Sequence, residues 1–227
     1  ALNETIQRRI KSNSTAAPAE TKALEDLLSL SQKVTPENSA KYRALVDYLK
    51  EIGVGKGSET RVVIFSERVP TLRWLQTNLT KHLKMPPSAV KILHGSGSDN
   101  ENLDAIQMKI IDDFKRSSSP LRILIASDVA SEGVNLHLQC HELVHYDIPW
   151  SLIRIQQRNG RIDRYGQRHE PQITTLLLDP SEANSIGELH VLEKLVEREH
   201  TAHQLLGDAS SLMGEHSEQR EEDAIRK

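Results

Sequence analysis

The chain has 227 residues, 37% hydrophobic and 27% charged, which is typical of one good-sized soluble domain or of one domain with helical appendages. Its formal net charge of −3 excludes a protein that is basic overall, so any nucleic-acid-binding surface has to be local. A single cysteine, Cys140, excludes an internal disulfide framework, and no apolar run approaches the roughly 20 residues of a membrane-spanning helix.

The first part of the chain is predicted to be a helical lead-in that covers residues 1–57. Residues 1–39 are polar apart from a helical patch around 24–30, and apolar residues recur at helical spacing over 41–52. The glycines of 53–58 hint at a phosphate-binding loop. Such a loop joins a strand to a following helix, whereas this segment has the reverse order, so we interpret it as a linker.

Short apolar runs then alternate with helical patterns. The predicted strands cover 61–65, 90–93, 121–126, 142–146 and 172–178, and the predicted helices lie near 68–83, 101–116 and 151–163. Strands that alternate with helices of roughly 10–15 residues imply a parallel sheet with helices on both faces. We therefore predict an α/β domain over 58–180, followed by a charged helical extension over 181–227.

Polar clusters follow the first four predicted strands. They begin at Ser66, His94, Ser127 and Asp147. Because ligands of open α/β sheets bind outside the carboxyl ends of the strands, these clusters are expected to form one continuous functional edge.

The segment 157–167 lies between the fourth and fifth predicted strands and holds three arginines and two glycines. Arginine binds phosphate oxygens bidentately and keeps its charge near neutral pH. On a helical turn Arg161 and Arg164 would point the same way, and Gly160 would let a backbone or ligand come close. Arg158 lies off the face shared by Gln157 and the other two arginines, so alanine is expected to be better tolerated there. An exposed basic loop with ordinary surface ion pairs is the alternative interpretation.

The pattern Gln-x-x-Gly-Arg-x-x-Arg in this segment resembles the last conserved motif of superfamily-two helicases. Its extension to Arg-Tyr-Gly-Gln resembles the Swi/Snf class of double-strand DNA translocases, and bacterial RNA-polymerase-associated and phage-defence motors of that class in particular. The segment 124–136, Leu-Ile-Ala-Ser-Asp-Val-Ala-Ser-Glu-Gly-Val-Asn-Leu, is similar to a second helicase motif. The segments 62–66 and 93–96 resemble two shorter ones. The resemblance covers about 60–180 and implies a RecA-like C-terminal motor lobe.

Residue roles follow from this resemblance, position by position. It implies that Arg161 and Arg164 are catalytic arginine fingers that reach the γ-phosphate of ATP. It places a further group on the nucleotide side: Gln157, Gly160, Glu132, Gly133 and Asn135. It places a third group at the nucleic-acid backbone: Ser66, Gly95, Ser96, Ser127 and Asp128.

The resemblance also implies partners and cofactors. ATP and Mg²⁺ would be bound mainly by a first RecA-like lobe, because this sequence has no Gly-Lys-Thr loop and no Asp-Glu-x-His motif. The chain starts without Met, so we expect a piece of a longer parent chain that is inactive alone. The expected partners are that first lobe, DNA (expected to be double-stranded) and further protein subunits, in the cytoplasm or at the nucleoid and away from membranes.

Three other interpretations stay open or are set aside. The chain could be a non-catalytic interaction module that kept a helicase-like fold, or part of a strand-separating helicase or restriction-type motor. The residues His137, Cys140, His141 and His145 suggest zinc, but residues of a strand at 142–146 cannot share one helical face with the others. No metal site is therefore predicted.

Overall fold

The computed structural model describes residues 2–12, 18–55, 57–95, 101–128, 133–178 and 187–206. The described helices are α1 (Leu2–Ser12), α2 (Pro18–Gln32), α3 (Ala40–Glu51), α4 (Val69–His82), α5 (Glu101–Lys115), α6 (Leu152–Asn159) and α7 (Glu188–Leu206). The described strands are β1 (Val62–Phe65), β2 (Val90–Leu93), β3 (Ile123–Ala126), β4 (Glu142–His145) and β5 (Gln172–Thr175). Among the described residues, no helix has the length and apolar character to cross a membrane.

The five strands form one parallel sheet in the order β2-β3-β1-β4-β5. In the register of the central strands, Val62 of β1 lies opposite Ile123 of β3 and Glu142 of β4. Strands β1, β3 and β4 are buried along their whole length, as expected for parallel strands covered on both faces. The predicted α/β fold with a parallel sheet is confirmed.

Side chains alternate along the strands and pack into two hydrophobic cores, one on each face of the sheet. Val62 and Ile64 point to the face that is covered by α3 and α4, where they join Leu45 and Leu75. On the other face, Val63 and Phe65 pack with residues from α5 and from the loop after residue 133, which include Phe114, Leu136 and Cys140. The two-sided covering fixes which way each strand faces and leaves the carboxyl ends of the strands as the open edge.

Helix α6 ends earlier than predicted. Ser151 caps its first turn by accepting a bond from the amide of Arg154 at 3.4 Å, but the helix stops at Asn159 and not at 163. Beyond Asn159 the chain forms tight turns, because the amide of Leu136 binds the carbonyl of Arg161 at 3.0 Å and Ile162 is fully buried in the core. The predicted helix near 151–163 is therefore too long, and the helical turn on which Arg161 and Arg164 would point the same way is not formed.

Helix α7 packs against α6. Val191 and Leu195 bury their side chains with Ile148, next to Leu152 and Ile155 of α6. The Lys41 ammonium lies 2.6 Å from the Glu188 carboxylate, which ties the start of α7 to the start of α3. The described part of the predicted extension is thus fastened to the sheet domain.

Candidate functional site at the carboxyl edge of the sheet

Backbone bonds bring the predicted clusters to one edge. The amide of Ser66 bonds to the carbonyl of Ala126 at 3.1 Å, and the amide of Ser127 bonds to the carbonyl of Leu93 at 2.9 Å. The amide of Tyr146 bonds to the carbonyl of Phe65 at 2.9 Å. The prediction that the ends of the first four strands share one edge is confirmed.

Arg158 is the centre of this edge. Its side chain is only 2% exposed, and its Nε and Nη2 atoms lie 2.5 and 2.9 Å from the two carboxylate oxygens of Asp128. Its Nη1 atom donates to the carbonyl oxygen of Asp147 at 2.9 Å, and the guanidinium lies 5.4 Å from the centre of the Phe65 ring. A bidentate, desolvated arginine–carboxylate pair of this kind depends on both partners. The sequence predicts that alanine is better tolerated at Arg158 than at Arg161 or Arg164, because Arg158 lies off their face. The burial and pairing of its side chain remove that reason.

Asp147 links Arg158 to the end of β1. Its carboxylate accepts a bond from the hydroxyl of Ser66 at 2.5 Å and from the amide of Glu67 at 3.1 Å, and it lies 3.8 Å from the Arg158 guanidinium. Burial raises the pKa of Asp147, although the bond from Ser66 and the charge of Arg158 act in the opposite direction. Ser66 is fully buried, so its hydroxyl is bonded within the lobe rather than presented at the surface.

His145 lies beneath this network. Its Nε2 atom is 2.8 Å from the amide oxygen of Asn159, and its Nδ1 atom is 3.4 Å from Arg158 Nη1. Burial, together with a smaller contribution from the charge of Arg158, lowers the pKa of His145 to about 4. A neutral ring with its proton on Nε2 satisfies both contacts, and at neutral pH His145 is uncharged.

The two candidate arginine fingers lie on the turn after α6. Arg161 is half-buried and Arg164 is exposed. Arg164 donates from Nη1 to the side-chain oxygen of Asn135, and the Arg161 carbonyl is bound by Leu136. The turn is thereby joined to the segment after Gly133, which the sequence also assigned to the nucleotide side.

The other predicted nucleotide-side residues are placed around this turn. Gln157 is exposed on the last turn of α6, and Gly160 directly follows that helix. A Cβ atom on Gly160 would lie 3.3 Å from the Gln156 carbonyl, so the position is crowded by its own helix. Gly133 has a φ of +73°, which favours glycine. Glu132 lies outside the described residues.

The predicted nucleic-acid residues fall into three groups. Gly95 is half-buried just after β2, and Ser127 is 7% exposed just after β3. The Asp128 carboxylate accepts bonds from Arg158, and the Ser66 hydroxyl donates to Asp147. Ser96 lies outside the described residues. An organising role for Asp128 agrees with this arrangement better than direct contact with a phosphate, which would repel a carboxylate.

Sequence reasoning missed the roles of Arg158, Asp147 and His145. One signal was available: a histidine inside the otherwise apolar run 142–146 needs a polar partner once it is buried. Its partner, Asn159, lies in the same segment as the candidate fingers.

The donor set of this edge suits phosphate groups better than a metal ion. Guanidinium groups match the charge and geometry of phosphate oxygens. Mg²⁺ prefers carboxylate oxygens, but Asp128 and Asp147 already accept bonds from Arg158, Ser66 and Glu67. Among the described residues, no group of three or more His, Cys, Asp or Glu side chains could hold a metal ion.

Comparisons with known proteins match this chain to helicase domains. A family model described as the helicase conserved C-terminal domain matches residues 40–166. The uncharacterized ATP-dependent helicase YqhH of Bacillus subtilis is 26% identical over 216 residues, which are 94% of this chain and 34% of the relative. The RNA polymerase-associated protein RapA of Serratia proteamaculans is 35% identical over 74 residues, which are 33% of this chain and 8% of the relative.

A solved structure of an ATPase domain is also similar to this chain. The C-terminal part of the Fun30 ATPase domain matches with a TM-score of 0.54 and 25% identity, and the match covers 85% of this chain and 64% of that one. The chain spans about a third of the length of YqhH and less than a tenth of the length of RapA.

Proposed function

Because this chain belongs to the family of helicase conserved C-terminal domains, we propose that it is the second motor lobe of a Swi/Snf-like, ATP-dependent DNA translocase. The observation that carries the proposal is the arginine turn. Arg161 and Arg164 lie three residues apart on the turn after α6, and the turn is bonded to Asn135 and Leu136 from the neighbouring motif.

The proposed contribution of this lobe to catalysis is electrostatic stabilisation of the transition state. ATP, bound with Mg²⁺ mainly by the first lobe, supplies the phosphoryl group whose transfer to water is the reaction. Arg161 and Arg164 present fixed positive charge and N–H donors toward the phosphates, where negative charge spreads in the transition state. Arginine suits this task because its fork is planar and stays protonated. Gln157, Gly160, Gly133 and Asn135 shape the surroundings of that turn.

The same lobe is proposed to hold DNA. Gly95 and Ser127 lie at the ends of neighbouring strands, where backbone amides and a hydroxyl can meet phosphate oxygens. Asp128 follows Ser127 directly and is paired with Arg158 on α6, the helix that leads into the arginine turn. Closure of the two lobes around ATP would therefore move the DNA contacts together with the arginines.

The test uses the two-lobe parent protein. Arg161→Ala or Arg164→Ala should lower ATP hydrolysis by about 10³–10⁵-fold, the range of arginine fingers. Binding of ATP should fall much less, because the first lobe makes most ground-state contacts. Lysine at either position should rescue poorly. Arg168→Ala is the matched control, since Arg168 is exposed and lies outside the motif.

Two outcomes would favour other functions. If the stable Arg161 and Arg164 variants hydrolyse ATP normally, the finger role is wrong and a non-catalytic interaction module becomes the better interpretation. If the parent separates strands of a duplex instead of moving along an intact one, the protein is a strand-separating motor. Displacement of a triplex-forming strand, compared with unwinding of a labelled duplex, distinguishes these two activities.

A further inference from the structure

Gln167 uses its whole side-chain amide to bind backbone groups. Its Nε2 atom donates to the carbonyl oxygens of Ile162 and Cys140, both at 3.0 Å. Its Oε1 atom accepts from the amides of Arg168 at 2.9 Å and His169 at 3.2 Å. A glutamine amide has two donor hydrogens and two acceptor lone pairs, so all four are used.

The two carbonyls that Gln167 binds belong to different parts of the lobe. Ile162 lies between Arg161 and Arg164, and its side chain is fully buried. Cys140 comes just before β4, and its side chain is 2% exposed in the same core cluster. The amide of Gln167 therefore ties the middle of the arginine turn to the fixed start of a central strand.

The backbone around Gln167 is shaped for this contact. Its own amide bonds to the carbonyl of Arg164 at 3.0 Å, which closes the turn. Gly166 has a φ of +94°, a conformation that side chains rarely adopt, and a Cβ atom there would lie 3.6 Å from the His137 ring. The chain turns here so that the Gln167 side chain reaches the carbonyls of Ile162 and Cys140.

We propose that Gln167 is a positioning residue that holds Arg161 and Arg164 in the geometry needed to meet ATP. The expected effect of Gln167 on ATP hydrolysis rests on the function proposed above. Its stabilisation of the turn does not depend on that function. Leu136 fixes the carbonyl of Arg161 and Gln167 fixes the next carbonyl along the chain. The turn is thus anchored through its backbone carbonyls.

Gln167→Glu is the sharpest variant, because it keeps the size and the acceptor atom but replaces the donor by a second oxygen. That oxygen would face the carbonyls of Ile162 and Cys140 and repel both. Gln167→Ala removes the contacts without adding charge and is used if the glutamate variant does not fold. Gln172→Glu is the matched control, since Gln172 is exposed and its side-chain amide donates to the nearby Glu170 carbonyl at 3.4 Å.

The first readout is hydrogen exchange of this chain measured by mass spectrometry. Exchange should speed up at the amides of Arg168, His169 and Leu136 in the Gln167 variants, while the amides of β1 and β3 keep the wild-type rate. Unchanged exchange at those three amides would overturn the proposal. A uniform increase across the sheet would also overturn it, because it would mean that Gln167 only stabilises the fold.

The second readout is ATP hydrolysis by the two-lobe parent. We expect kcat to fall by about 10²-fold, the effect of a small misplacement of catalytic groups, with the Kd for ATP unchanged. If Arg161→Ala abolishes hydrolysis but Gln167→Glu does not reduce kcat, the positioning role is wrong. If Arg161→Ala has no effect either, the proposed function fails, and the hydrogen exchange still decides whether Gln167 holds the turn.

Discussion

Replacement of Arg158 by alanine should strongly destabilise the chain. The guanidinium is 2% exposed and pairs with Asp128 through two bonds of 2.5 and 2.9 Å. Its loss would leave the Asp128 carboxylate without that partner and would remove a positive charge that lies 3.8 Å from Asp147. Removal of one member of a buried ion pair typically costs about 3–5 kcal/mol, much of which is the penalty for the charge that stays behind.

The size of this effect can be set against a surface pair on the same helix. Arg154 lies 3.9 Å from Glu67, and its side chain is 29% exposed. An exposed pair of that kind contributes roughly 0–1 kcal/mol. With a urea m-value of about 1–3 kcal/mol per molar, Arg158→Ala should lower the unfolding midpoint by about 1–5 M, whereas Arg154→Ala should lower it several-fold less.

Urea unfolding followed by circular dichroism measures both variants under the same conditions. Arg158→Lys should give an intermediate loss, since an ammonium keeps the charge but cannot make the bidentate pair. The double variant Asp128→Asn, Arg158→Ala should lose less stability than the sum of the two single variants. Each single change leaves one charge without its partner, and the double change removes both charges. A midpoint for Arg158→Ala equal to that of Arg154→Ala would refute the buried-pair reasoning.

Three further predictions follow from the site. The chain alone should release essentially no phosphate from ATP with saturating duplex DNA, and turnover near ~1–10² s⁻¹, typical of a competent phosphoryl-transfer enzyme, would contradict the half-motor assignment. In the two-lobe parent, Ser127→Ala or Gly95→Val should reduce DNA-stimulated hydrolysis more than basal hydrolysis; equal loss of both would argue against a DNA contact. The pKa of His145 is lowered to about 4 from an ordinary 6.5, so stability should fall as pH drops from about 6.5 to 4, by on the order of 2–3 kcal/mol. His145→Gln should flatten that part of a melting-temperature profile, and a profile identical to the wild type would contradict the assignment.

The sign of the pH effect depends on which group titrates. His145 faces Arg158 and Asn159 from α6 and lies near Asp128, and its lowered pKa means that the unfolded chain binds the proton first as pH falls. Burial raises the pKa of Asp147, which has the opposite sign: its contribution to stability is lost as pH rises through the acidic range. The two groups therefore oppose each other as pH falls, and the comparison of His145→Gln with the wild type isolates the contribution of the histidine.

The sheet was predictable because two of its inner strands, β1 and β3, are apolar runs with polar residues directly after them. Val62–Phe65 and Ile123–Ala126 are buried on both faces, so their sequences carry the signal without interruption. The end of α6 was not predictable from local pattern. The residues after Asn159 form a turn whose carbonyls at Arg161 and Ile162 accept bonds from Leu136 and Gln167, which are distant in the sequence or follow the turn.

The role of Arg158 was hidden for a similar reason. Within 157–167 it looks like one polar residue among many, and its position off the face of Arg161 suggested a tolerant surface site. Its burial is produced by Asp128, 30 residues earlier, and by Asp147, 11 residues earlier. No short window of sequence contains all three groups, so spacing alone could not reveal the network.

The Asp128–Arg158 pair has a consequence for how such a lobe would work. It joins the end of β3, where Ser127 is proposed to meet DNA, to the helix that precedes the arginine turn. A buried pair with contacts of 2.5 and 2.9 Å leaves little room for the two sides to slide past each other. We infer that the proposed DNA contacts and the arginines move as one body, so the change that couples hydrolysis to movement takes place between the lobes. Hydrogen exchange on the two-lobe parent tests this: protection at the amides of Ser127 and Arg158 should stay constant as nucleotide is exchanged, and loss of protection there in one nucleotide state would place the change inside this lobe.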